Sequence, residues 1–77
     1  MKISIIYIRI LNSSNNDEWY PVKAKQIYND IFIIKEIDSE TILDKLEYKI
    51  GNIVRTVDKK FGRWITYKIA IEKLDSI

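Results

Sequence analysis

The chain is expected to fold as a small, strongly bent five-stranded β-barrel, and three features of the sequence point there. Isoleucine dominates a composition that is 47% hydrophobic, and β-branched side chains pack well on a pleated surface. Turn-forming residues recur at short intervals: Asn12 to Asp17, Asn29-Asp30, Gly51 and Gly62. The block from Leu46 to Ile69 reads as an acidic approach, an aromatic, a glycine turn and two strands that return on each other. Seventy-seven residues make one domain, 1–77. A chain this short buries roughly 60–65% of its unfolded surface, so its stability is modest.

The first strand is expected over residues 2–11. Ile6, Ile8 and Ile10 share one face and Ile3, Ile5 and Tyr7 the other, the pattern of a strand covered on both sides or of an edge hidden in a homodimer. Lys2 and Arg9 bracket a run too short to span a bilayer. No small-residue cleavage site follows it, so it reads as a strand rather than a signal peptide, with no membrane association and a cytoplasmic address expected. Residues 12–18 form a polar loop.

Trp19-Tyr20-Pro21 leads into a second strand, Val22 to Tyr28, in which Val22 and Ala24 alternate with Lys23 and Lys25. Pro21 suits a strand's start, where its missing N–H costs little. Asn29-Asp30 is a two-residue hairpin turn, since both residues tolerate left-handed backbone. Ile31 to Ile37 makes the third strand.

Residues 39–46 hold at most a short helical insertion. Asp38 or Ser39 is placed to cap it, and Ile42, Leu43 and Leu46 would share a helical face. Strands four and five follow at about 52–58 and 63–71. Gly51 can supply the positive φ of a tight turn, and Gly62 can close the hairpin loop. Along the fifth strand Tyr67 shares a face with Ile65 and Ile69, which assigns it to the core and leaves Trp64 exposed. The tail from Glu72 extends the strand or adds a helical turn.

Composition removes most chemistry. With no cysteine there is neither a disulfide nor a thiolate zinc site. With no histidine the commonest general base, metal ligand and pH switch is missing. Asp17-Glu18 and Ser13-Ser14 lie in a solvated loop with no base beside them. The acids lack calcium-loop spacing and the two glycines are isolated. No enzyme activity, metal or cofactor is expected.

Five short strands with a bent middle suggest an SH3-like barrel. Trp19-Tyr20-Pro21-Val22-Lys23-Ala24, Asp30-Ile31-Phe32-Ile33-Ile34 and Leu46-Glu47-Tyr48-Lys49-Ile50-Gly51-Asn52-Ile53-Val54 together resemble a group of short, uncharacterised bacterial proteins. That group has a Trp-x-Pro-x-x-Ala opening, a Tyr-x-Ile strand and a Trp-Glu-Phe-x-x-Gly-x-x-Val block. Here Leu46 stands for the block's Trp, Tyr48 for its Phe, and Ile33-Ile34 departs from the Tyr-x-Ile form. The resemblance covers roughly residues 19–70. It implies an SH3-like fold and carries no catalytic or binding residues. The Ala-Leu-Tyr-Asp-Tyr strand and paired Trp of polyproline-binding SH3 domains are lacking.

Net charge is only +2, but it is unevenly spread. Residues 30–47 carry six acids against Lys35 and Lys45, and residues 48–68 carry six bases against Asp58. Such a dipolar chain either meets a charged partner or neutralises itself. Two binding readings follow. In the first, a protein partner is bound through the aromatic candidates Trp19, Tyr20 and Trp64, with homodimerisation through residues 2–11. In the second, Arg55, Lys59, Lys60, Arg63 and Lys68, interleaved with aromatics on the closing hairpin, bind RNA or DNA weakly and salt-sensitively.

Overall fold

A computed structural model describes residues 2–11 and 18–75. Five strands close into one barrel in sequence order: β1 (Ile3–Arg9), β2 (Trp19–Tyr28), β3 (Ile31–Glu36), β4 (Ile53–Phe61) and β5 (Ile65–Leu74). This is the small SH3-like barrel expected, mainly β and almost free of helix. Neighbours in sequence pair antiparallel. With an odd number of alternating strands, the closing pair must be parallel, and β1 and β5 are bridged at Tyr7↔Ile69 alone.

The two sides of each strand have different fates. Ile6 and Ile8 of β1, Val22 and Ala24 of β2, Phe32 and Ile34 of β3, Val54 of β4 and Ala70 of β5 fill the interior. Ile37, Leu46 and Tyr48, from the connection between β3 and β4, join them. On the outer side of β1, Tyr7 is half-buried but Ile3 and Ile5 are half-exposed, so among the described residues the second apolar face of that strand is covered only in part. Nor is β1 a free edge. β2 pairs along one flank, β5 bridges the other at Tyr7, and beyond it Glu47 N–H and Leu11 N–H donate to Arg9 O (3.0 Å) and Lys45 O (2.6 Å).

The turns behave as their residues dictate. Asn29 takes φ +39° between Tyr28 and Ile31, which pair directly. Gly51 takes φ +91°, Asn52 N–H donates to Lys49 O at 3.0 Å, and the Asn52 side chain accepts from Lys49 N–H at 2.9 Å, a type II arrangement that needs Gly at its third position.

Several boundaries differ from the sequence reading: β1 spans Ile3–Arg9 rather than 2–11, β3 stops at Glu36, and β5 starts at Ile65 rather than 63 because Arg63 and Trp64 belong to the turn. β2 begins at Trp19, because Trp19, Tyr20 and Pro21 pair with Arg9, Ile8 and Tyr7; Pro21 is tolerated there since the ladder with β3 starts only at Lys23. β4 and β5 run on to Phe61 and Leu74 through continuous cross-strand pairing, interrupted only by a bulge between Arg55 and Thr56. The insertion near 39–46 is a single 3-10 turn, Leu43–Lys45, with no side-chain cap. Asp38 accepts from Tyr20 instead, Ser39 bonds Thr41, and Leu46 must turn extended to bridge Ile10. The loop expected over 12–18 lies outside the described residues except for Glu18.

Candidate interaction surface

The β4–β5 hairpin outruns the barrel. β3 pairs with β4 only at Ile53 to Arg55, while β4 and β5 stay paired as far as Phe61↔Ile65. From Val57 onward the ribbon therefore presents two faces of its own. One carries Lys59, Phe61 and Tyr67; the other carries Asp58, Lys60, Thr66 and Lys68.

The first face folds back on the outer wall. Tyr67 lies 4.6 Å from Tyr7 and 5.2 Å from Phe61, ring centre to ring centre, and the Lys59 ammonium sits 5.6 Å from the Trp19 ring and 5.5 Å from Phe61. All four aromatics are half-buried. Tyr67 is thus on the face shared with Ile65 and Ile69, as its spacing implies, but outside the core. The inward position of β5 is Ala70, opposite Thr56, because the narrow interior admits a small side chain there.

The apex is different. The turn residues Gly62, Arg63 and Trp64 join the strands, with Gly62 at φ +84°. Trp64 is 90% exposed and Ile65 50%. Arg63 and Lys60 are exposed beside them, and among the described residues neither forms an ion pair.

The sequence-predicted residues are therefore not one site. Trp64 stands alone at the apex. Trp19 is committed to Lys59 on the wall. Tyr20 is half-buried against the core, and its hydroxyl donates to Asp38 at 2.6 Å; that hydrogen bond to a carboxylate, more than burial, raises its pKa. Of the five cations, Arg55 pairs with Glu72 at 3.1 Å and Lys68 with Asp58 at 3.0 Å. Lys59 lies over aromatic rings, and only Lys60 and Arg63 flank Trp64. Much of the basic segment thus neutralises itself within the hairpin. In the acidic segment, Glu36 lies 3.9 Å from Lys23 and Glu47 3.2 Å from Arg9.

Ile65, at the apex, was not singled out from sequence; its place directly after an exposed Trp was the available signal. No group of three or more acids that could hold a metal occurs among the described residues. No helix among them is long and apolar enough to cross a membrane. Comparison with protein-family models, with curated proteins and with solved structures returned no match.

Proposed function

We propose that the protein is a non-enzymatic binding module that engages a protein partner through the β4–β5 apex, with Trp64 as anchor and Arg63 and Ile65 beside it. The observation that carries this reading is the 90% exposure of Trp64 on a paired ribbon. A lone exposed aliphatic is ordinary on a protein surface. Among the described residues nothing packs over this tryptophan at the end of the hairpin, so its large apolar ring is left open to a partner. Trp and Arg are also the residue types that dominate interface energetics. Trp19, against Lys59 on the wall, and Tyr20, bonded to Asp38, stay outside this contact.

The test compares wild-type protein and Trp64→Ala as immobilised baits, followed by titration of each retained protein. Loss of a hot-spot anchor weakens binding by about 2 kcal/mol or more, roughly thirtyfold. A partner bound equally by both baits would overturn the reading.

One observation favours a second reading. Lys60 and Arg63, exposed and without an ion pair among the described residues, lie next to Trp64 on the hairpin, so a base stacked on the indole would have cations beside it for phosphate contacts. Anisotropy of labelled mixed-sequence RNA and DNA at low and moderate salt separates the two. Binding that fades steeply with salt supports nucleic acid, and its absence at low salt removes that reading.

A further inference from the structure

Away from the apex, the outer side of β1 carries an apolar knob and a hollow side by side. Ile3 and Ile5 project there, 49% and 51% exposed. Beside them opens a depression of about 160 Å³ lined by Ile5, Pro21, Val22, Lys23, Glu36 and Asp38. Its apolar floor includes Val22, which is buried, and its rim sets Lys23 against two carboxylates, a net of one negative charge. Lys2, exposed, directly precedes Ile3. Knob and cation sit at the start of β1, and two residues along Ile5 borders the hollow, whose anions come from the end of β3 and just beyond it.

We infer that the hollow receives Ile3 of a second copy of this chain, in a two-fold arrangement that sets each Lys2 beside the other copy's Glu36 and Asp38. A two-fold interface must be self-complementary, with each contact made twice. This face meets that demand in shape and in charge: knob enters hollow twice, and ammonium meets carboxylates twice. A net charge of +2 per chain opposes the approach only weakly. Since β1 is already flanked by β2, by β5 and by residues 45–47, the copies meet face to face and not by adding strand to strand. The patch is small, so the dimer is a weak one.

Sedimentation equilibrium of the full chain from micromolar to millimolar concentration tests this. The expected result is a mass that rises from monomer towards dimer, weakened about tenfold or more in Ile3→Glu. Glu36→Lys alone also weakens association, and Lys2→Glu combined with Glu36→Lys restores it to within a few-fold. Ile3 lies outside the core, so its variants keep the sheet signal in circular dichroism; should Ile3→Glu lose it, Ile3→Ser takes its place. A monomer at every concentration, association unchanged by the Ile3 variant, or failure of the paired reversal would each overturn the inference. Trp64→Ala leaves this equilibrium untouched, so the apex and the dimer stand or fall separately.

Discussion

Thr56 is the buried polar residue of the β4–β5 hairpin, 1% exposed, and a series of substitutions there measures how the ribbon is tied to the barrel. Its hydroxyl donates to Asp30 O at 3.1 Å, and its backbone N–H donates to the same oxygen at 2.8 Å. Asp30 belongs to the turn between β2 and β3, so one carbonyl joins that turn to β4. Thr56→Val removes a hydrogen bond worth about 0.5–1.5 kcal/mol net. It leaves no orphan, because the donor goes with the substitution and the carbonyl keeps its backbone partner. The added methyl returns up to about 0.8 kcal/mol of burial. The net loss is therefore at most about 1.5 kcal/mol, equivalent to a fall in Tm of no more than about 6–12 °C for a domain of this size. Thr56→Ser keeps the bond and deletes a methyl, at about 0.5–1.5 kcal/mol by analogy with other single-methyl deletions. Thr56→Ala loses both, roughly 1–3 kcal/mol. Urea denaturation at constant m-value gives the three numbers. If Val proved worse than Ala, or cost more than about 2 kcal/mol, the doubly held carbonyl would not be the reason Thr56 is there.

Three further outcomes follow from the same structure. Phe32 is 1% exposed in the middle of the core; Phe32→Ala, at about 3–5 kcal/mol, removes from about a quarter to all of the about 4–12 kcal/mol available to 77 residues, and a cooperative thermal transition near that of wild type would contradict it. Gly51 at φ +91° has open space where a Cβ would go, so Gly51→Ala is destabilised by backbone strain alone, about 1 kcal/mol, whereas an unchanged urea midpoint would mean that the turn relaxes. Burial, and then the neighbouring Glu47 carboxylate, raises the pKa of Tyr48 above its usual value. The unfolded chain then releases this proton first as pH rises, so the contribution is complete below about pH 10 and is lost as pH climbs through the folded value. Tyr48→Phe should flatten that alkaline fall, read from urea midpoints across the range; an identical alkaline fall in both proteins would assign it elsewhere.

Much of the barrel was legible because strands and turns are local. Alternation along Val22 to Lys25, the Asn29-Asp30 turn and the glycine at 51 each follow from two or three residues. Closure is not local, and that is where the reading failed. The inward face of β5 is marked by Ala70, while Tyr67 and Ile69 lie on the other, where Ile69 is buried all the same and Tyr67 only half-buried. Ranking the two faces by bulk chooses wrongly, because a five-stranded barrel has little interior width and large side chains on other strands already fill it. The candidate site split for a related reason. Trp19 and Lys59 are forty residues apart in sequence, and only the backward fold of the ribbon brings them together. Arg55 and Lys68 look like free cations until the β4–β5 register sets Glu72 and Asp58 opposite them.

The parallel seam between β1 and β5 has a consequence for how this module can be joined to anything else. Ile3 lies four residues before the bridged Tyr7, and Leu74 lies five residues after Ile69. Around the wall, though, Ile3 pairs with Lys25, Lys25 with Ile33, Ile33 with Ile53 and Ile53 with Leu74. Four cross-strand steps of about 4.5–5.5 Å each keep the two strand ends within about 22 Å of each other. Cargo attached before β1 and cargo attached after β5 are thus held within a barrel's width of each other, and a circular permutant would need a linker of no more than about seven extended residues.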